Sequence, residues 1–138
     1  MEHKFYITKV KVLTGTSYGE VYTKAKFIYK TITSRTKRRP YIRSIFFNKE
    51  KIFLDVFWTH LSEKNHSDRF RRLKQYPCGL DLIKNSKMGP TTQESKDKSS
   101  EVLHRFYGIN GNGESFIVQI KENINNGEKN FMSVLPLH

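Results

Sequence analysis

Five polar side chains near the C-terminal end have the types and spacing that a phosphate-binding surface needs. They are Arg105, Tyr107, Gln119, Lys121 and Ser133. They lie in three segments, 102–108, 115–121 and 130–136, which alternate apolar and polar residues as half-buried β-strands do. Two cations, a phenol, an amide and a hydroxyl on neighbouring strands are the groups required to hold and polarise a phosphodiester. The sequence therefore predicts an anion-binding surface on a sheet.

Strand periodicity determines which side chains share that surface, because successive residues point to opposite faces. The predicted core set is Phe106, Phe116, Val118, Ile120, Met132 and Val134. Alternation then places Leu103, Arg105 and Tyr107 on the opposite face, together with Ser115, Ile117, Gln119, Lys121, Phe131, Ser133 and Leu135. We expect this second face to be open to solvent. A polar solvent face without any binding role is the alternative explanation.

His104 is the residue best suited by its ordinary pKa to transfer protons near neutral pH. Strict alternation puts it on the core side with Phe106. A bulge or irregular turn at the start of the strand would instead bring the ring to the rim of the polar surface. Both placements, catalytic and structural, stay open at this point.

The positive charge is concentrated upstream of these strands. The formal net charge is +12. Residues 1–100 hold 22 Lys and Arg against nine Asp and Glu, whereas 101–138 hold three against four. Two runs, SRTKRRPYIRS (34–44) and DRFRRLK (68–74), supply Arg38, Arg39, Arg71 and Arg72 as candidate RNA-binding residues. Such runs attract a polyanion through counterion release, but they also occur as merely solubilising charge.

The N-terminal half predicts an alternating segment followed by helices. Residues 4–13 alternate and predict a short strand, and Ser17 with Glu20 forms a capping box that starts a helix at Tyr18. A hairpin pairing 4–13 with 20–30 is the alternative.

Further helices are predicted after the basic run at 34–44, which we call the basic connector. Asn48 is a candidate cap for a second helix, and Ser67 for a third that runs to about Asn85 with a kink at Pro77. The polar segment 86–100 predicts a mobile loop. The sequence thus predicts one α+β domain of residues 1–138: a basic region at 1–47, helices at 48–85, a loop at 86–100 and an antiparallel sheet at 101–138, with a possible extra N-terminal strand.

Composition limits the cellular setting. The single cysteine, Cys78, allows no internal disulfide, and no His, Cys, Asp and Glu spacing is typical of a metal site. We expect neither a metal nor another cofactor. No apolar run approaches about 18 residues, and the start is unlike a signal peptide. We therefore expect a cytoplasmic protein with no membrane partner.

The segments LHRFYG, ESFIVQIKE and FMSVLP resemble the small nucleases typified by barnase, EndoU, the tRNase colicins and RelE toxins, called the BECR superfamily, and especially its phage- and mobile-element-associated branches. The resemblance covers about residues 37–136. It implies N-terminal helices packed on one face of an antiparallel meander, with the RNA site on the other face. It also implies metal-independent RNA cleavage by 2′-hydroxyl attack, a toxin or defence role, and an antitoxin or immunity protein as partner.

The resemblance implies roles for single residues. The candidate site residues are His104 and Arg105 in the segment LHRF, Gln119 and Lys121 in VQIK, and Ser133 in MSV. Arg105 would clamp a phosphate, Lys121 would act as a point charge or base, and Ser133 would donate a hydrogen bond. Tyr107 is either a base-stacking platform or a sheet filler. A noncatalytic protein that binds nucleic acid, RNA or possibly DNA, or another partner, remains the alternative function.

Overall fold

The computed structural model describes residues 4–94 and 100–137, which form four helices and seven strands. In chain order the elements are β1 (Phe5–Ile7), α1 (Tyr18–Thr33), β2 (Tyr41–Ser44), β3 (Glu50–Phe53), α2 (Asp55–Ser62), α3 (His66–Lys74), α4 (Tyr76–Asn85), β4 (Thr91–Glu94), β5 (Glu101–Ile109), β6 (Ser115–Asn123) and β7 (Lys129–Pro136). The fold class is α+β, as predicted. None of these helices is long and apolar enough to cross a bilayer.

The capping box starts α1 where the sequence predicts it. The side chain of Ser17 accepts a hydrogen bond from the backbone N–H of Glu20 at 3.2 Å. Val21 and Ala25 are completely buried, so the predicted apolar stripe faces the core. The alternative hairpin pairing 4–13 with 20–30 is therefore wrong, and the predicted strand at 4–13 is reduced to the three residues of β1.

All seven strands belong to one mixed sheet, with the order β1-β5-β6-β7-β3-β2 and β4 also paired with β5. The meander β5-β6-β7 is antiparallel, as predicted. However, β1 runs parallel to β5, and β3 runs parallel to β7. The prediction of a purely antiparallel sheet confined to 101–138 is wrong, because segments from the N-terminal half extend it on both sides.

The predicted helix capped by Asn48 is wrong in its first part. Asn48 and Lys49 have positive φ angles of 56° and 66°, typical of a tight turn, and β3 follows at Glu50. Ile52 pairs with Lys129 of β7 and is completely buried. The helix α2 begins only at Asp55. Pairing with β7 has overridden the helical periodicity of this short apolar run.

The predicted third helix is two helices. Asn65, not Ser67, caps α3, since its side chain accepts from the backbone N–H of Asp68 at 2.8 Å. Pro77 lies in the first turn of α4, where its missing N–H costs no helical hydrogen bond. The chain therefore breaks at Gln75, just before the predicted kink.

The predicted loop at 86–100 contains a strand. Residues Thr91–Glu94 form β4 and pair antiparallel with Val102–Arg105 of β5. The prediction of a loop is wrong for these four residues, and residues 95–99 lie outside the part of the chain that is described.

The helices pack on one face of the sheet, which we call the core face: Phe106, Phe116, Val118, Ile120, Phe131 and Val134. The ring of Phe57 in α2 stacks on Phe131 at 4.8 Å. The register shifts between Gln119 and Ile120, so that Gln119 pairs with Ser133 while Ile120 pairs with Phe131. This bulge corrects one prediction: it turns Phe131 to the core and leaves Met132 only half-buried.

Candidate nucleic-acid interface

The strand register aligns three of the predicted site residues in one row across the meander. Arg105 of β5 is the partner of Gln119 in β6, which is the partner of Ser133 in β7. Their side chains therefore share the face opposite to the helices. We call this the polar face: Arg105, Tyr107, Gln119, Lys121 and Ser133.

A second row extends the polar face beyond the meander. Lys121 pairs with Asn130 of β7, which pairs with Phe53 of β3, and Phe53 pairs with Tyr41 of β2. Paired residues project on the same side of a sheet, so two aromatic rings continue the surface that begins at Lys121. Sequence reasoning missed both rings, because it placed Phe53 in a helix and Tyr41 in a connector.

Two of the predicted residues are already engaged within the protein. The hydroxyl of Ser133 donates to Gln119 Oε1 at 2.7 Å, and Ser133 is only 2% exposed. Tyr107 is 7% exposed, with its ring 5.9 Å from that of Phe5 and its hydroxyl 3.3 Å from Thr91 Oγ1. A ring buried to this extent presents little surface for a base to stack on. Tyr107 acts as a packing residue of the sheet.

The two cations of the polar face are half-buried and lie on neighbouring strands. Lys121 Nζ is 3.7 Å from Glu101 Oε1, a loose pairing that leaves 37% of its side chain exposed. The Nε of Arg105 is buried and makes no hydrogen bond to any described residue. A buried donor of this kind is costly unless an acceptor reaches it. Arg105 therefore has hydrogen-bonding capacity that a phosphate oxygen would satisfy.

His104 lies on the core face, the placement that strict alternation predicts. Its Nδ1 is 2.8 Å from Thr92 Oγ1, and its Nε2 is 2.8 Å from Glu122 Oε1. The ring of Phe47 covers it at 5.1 Å, and it is 8% exposed. Both ring nitrogens are thus occupied, and the sheet itself separates them from Arg105.

The network around His104 continues along the core face. Glu122 Oε2 is 3.6 Å from Lys129 Nζ, which is 5% exposed and donates to Glu50 Oε1 at 2.7 Å. These bonds join β4, β5, β6, β7 and β3. Their arrangement is that of a fully paired structural network.

The basic connector forms a pocket of about 680 Å³ beside the aromatic end of the polar face. We call it the basic pocket: Arg35, Thr36, Lys37, Arg38, Arg39, Tyr41, Lys51, Phe53 and Glu128. Lys51 Nζ lies 4.7 Å from the centre of the Tyr41 ring, and the Arg39 guanidinium lies 4.2 Å from that of Phe53. The pocket thus combines five cations with two aromatic rings and one carboxylate.

Arg39 has a different role from its neighbours. Its guanidinium donates to both carboxylate oxygens of Asp55, at 3.0 and 2.8 Å, and to Glu128 and Asn130. The hydrogen bonds from Arg39 lower the pKa of Asp55, and the same bonds raise the pKa of Arg39. Arg39 therefore anchors the connector to α2 and β7, while Arg35, Lys37 and Arg38 are exposed or nearly so around it.

Arg71 and Arg72 lie on α3, and neither lines the basic pocket. Both approach Asp68, at 3.6 and 3.3 Å respectively. Of the four predicted RNA-binding arginines, the structure brings together only Arg38 and Arg39. The pocket contains Lys51 as well. The sequence placed Lys51 in the predicted helix 49–61 and therefore did not indicate it as a binding residue.

No group of three His, Cys, Asp or Glu side chains within residues 4–94 and 100–137 is arranged to hold a metal ion. Comparisons of the chain with protein-family models, with curated proteins and with solved structures each give no match. The function must therefore be argued from the geometry of the polar face and the basic pocket.

Proposed function

We propose that this protein binds single-stranded RNA along the polar face, with the basic pocket taking the phosphates at one end. The observation that carries the proposal is the row Tyr41, Phe53, Asn130 and Lys121, which joins the pocket to the meander across four adjacent strands. Cations that follow a phosphate backbone beside aromatic rings are the usual means of binding single strands.

The order of groups along the face suits an extended strand. Arg38 and Lys51 are exposed cations at the pocket, Lys121 lies midway, and Arg105 is the cation at the far edge of the meander. Between them, Gln119 supplies an amide NH₂ group for hydrogen bonding to sugars or bases, while Asn130 is held in place by Arg39 and Glu128. Each cation can replace a counterion on one phosphate, so binding should weaken as salt rises.

RNA cleavage is the second candidate, and the row of Arg105, Gln119 and Ser133 favours it. Arg105 and Gln119 present a guanidinium and an amide of the kind that would hold a phosphodiester during 2′-hydroxyl attack, and the buried Ser133 orients the amide. A BECR-like ribonuclease, toxin-like and paired with an antitoxin, would use them. The candidate ranks second because His104 lies on the core face, which leaves Lys121, its partner Glu101 and the buried Tyr107 as the proton-transfer groups on the side of Arg105.

Fluorescence anisotropy with a labelled single-stranded RNA tests the first proposal. The variant Arg38→Gln/Lys51→Gln removes two exposed cations of the pocket. We expect weaker binding and a salt dependence reduced by about 1.4 in the slope of log K against log salt, since each contact to a single strand contributes about 0.7.

The matched control removes two exposed cations elsewhere, in the variant Arg71→Gln/Lys87→Gln. Its net charge equals that of the pocket variant, so any difference reports position and not total charge. Identical slopes for the two variants would reject the basic pocket as the RNA-binding site.

A further inference from the structure

A second groove, of about 760 Å³, lies between α1, α4 and the outer strand of the sheet. We call it the edge groove. It is lined by Phe27, Ile28 and Ile32 of α1, by Tyr41, Ile42 and Arg43 of β2, and by Leu80, Asp81 and Lys84 of α4, among others. It opens on the core-face side of the sheet, where α1 and α4 pack, and it shares Arg35, Thr36 and Tyr41 with the basic pocket.

The backbone edge of β2 faces this groove. β2 is the last strand in the sheet order, paired only with β3 among the strands described. Tyr41, Ile42 and Arg43 are consecutive, and all three line the groove. Successive side chains of a strand point to opposite faces, so three in a row can border one groove only if the groove runs along the strand's edge. The unpaired hydrogen-bonding groups of that edge are thus presented to it.

The groove has an apolar floor. Phe27 is 63% exposed, so one face of α1 presents a large aromatic surface to solvent. Ile28, Ile32 and Ile42 lie beside it, each only partly buried. An exposed edge strand next to apolar side chains is the arrangement used when an extended peptide adds itself to a sheet, with alternate side chains entering the neighbouring groove.

The rim of the groove is cationic. Arg35, Arg43 and Lys84 are exposed at its border. The acidic residue of the lining, Asp81, is already satisfied: its carboxylate accepts from Tyr6 at 2.8 Å, Thr8 at 2.6 Å and Asn85 at 2.9 Å. Three exposed cations outnumber this one carboxylate, so the field at the edge is positive, and a second copy of this chain, with a net charge of +12, is repelled from it.

We propose that the edge groove binds an extended segment of another protein in which apolar and acidic residues alternate. The segment adds a strand to β2. Its apolar side chains cover Phe27 and Ile42, and its carboxylates pair with Arg35, Arg43 and Lys84. The proposal does not rest on RNA binding. Because the groove shares three lining residues with the basic pocket, peptide binding is tested in the absence of RNA.

A labelled synthetic peptide of alternating valine and glutamate is the probe, and its binding is followed by fluorescence anisotropy. We expect saturable binding to the full-length protein. The variant Arg43→Glu/Lys84→Glu should weaken it by at least tenfold, whereas Arg71→Glu/Lys87→Glu, with the same net charge, should leave it nearly unchanged. Circular dichroism melting checks that both variants are folded.

Two altered peptides test the geometry. A peptide of the same composition with its valines and glutamates in separate blocks should bind far more weakly, as should the alternating peptide methylated on alternate backbone nitrogens. The proposal is overturned if the alternating peptide does not bind, if the block or methylated peptide binds equally well, or if the two charge-reversal variants lose affinity equally.

Discussion

At the scale of single residues, the position of His104 on the core face outweighs the suitability of an imidazole for proton transfer. It is the side chain whose ordinary pKa best fits proton transfer, yet both its nitrogens are used to join β4 and β6 through Thr92 and Glu122. The variant His104→Ala should lower the free energy of unfolding by about 1–3 kcal/mol, because it removes a buried ring together with both of its hydrogen bonds. Urea unfolding measures this.

Lys121→Ala is the control for that experiment. Its side chain is 37% exposed and loosely paired, so we expect a change within about 0.5 kcal/mol. A His104→Ala protein with an unchanged unfolding midpoint would contradict the structural role of this ring.

Cys78 allows a prediction from pH. Burial raises the pKa of its thiol to about 12, so only a very small fraction of the thiol is ionised in the folded protein up to pH 9. An aromatic disulfide reagent should therefore react far more slowly with the folded protein than with the unfolded protein at every pH between 7 and 9, because the thiolate is scarce and the side chain is buried. In urea the exposed thiol, with its ordinary pKa near 8.5, should react faster as the pH rises. A native rate equal to the rate in urea at the same pH would show that Cys78 is accessible in the folded protein.

The alternation of apolar and polar residues predicted part of the site correctly but placed Phe131 on the wrong face. Val118, Ile120 and Val134 are buried as predicted, and Arg105 and Lys121 lie on the other face. The orientation of Phe131 was wrong because one bulge changes the alternation of β7. Such a bulge depends on the fit of two strands and leaves no pattern in either strand alone.

At the scale of secondary-structure elements, two glycines are predicted to respond oppositely to alanine. A Cβ at Gly108 in β5 would lie 2.5 Å from the ring of Phe116, so Gly108→Ala should cost about 1–3 kcal/mol through overpacking. At Gly19, in the first turn of α1, a Cβ meets nothing within 4 Å among the described residues. Gly19→Ala should stabilise the protein by about 0.4–1 kcal/mol by restricting the unfolded chain.

Thermal melting of the two variants provides the comparison. A higher melting temperature for Gly19→Ala and a lower one for Gly108→Ala are expected. A Gly108→Ala protein as stable as the parent would mean that Phe116 rotates away at little cost, and that the contact between β5 and β6 is looser than the structure indicates.

The elements that the sequence did not predict are three short strands, β2, β3 and β4, of four residues each. β3 pairs with β7, which is distant in the sequence, whereas β4 pairs with β5, the next strand along the chain. For a run this short, neither apolar periodicity nor composition separates a strand from a helix or a loop. β3 and β4 form strands because the folded meander offers unpaired backbone groups on its outer strands, β7 and β5. By contrast, α1 has its own cap and a long apolar stripe, and was predictable locally.

At the scale of the whole molecule, the structure shows where part of the excess positive charge of residues 1–100 lies. Seven of the 22 Lys and Arg in residues 1–100 lie at two places beside β2: the basic pocket, where the connector meets β3, and the rim of the edge groove. The C-terminal strands carry little net charge. Under the proposed function, a polyanion bound at the pocket would extend along them, because the pocket and the polar face form one continuous surface.

That division leads to a prediction that separates binding from catalysis. Total RNA incubated with the protein in excess EDTA should stay intact while its migration in a native gel is retarded. The reason is that the polar face holds phosphate-binding groups, whereas His104 is enclosed on the opposite face. Cleavage that persists in EDTA and is reduced by about a hundredfold in Arg105→Ala and Lys121→Ala, with unchanged melting temperatures, would instead establish the ribonuclease. In that case Lys121 would be the first group to examine as the base, because its amino group and the Arg105 guanidinium lie on adjacent strands of the same face.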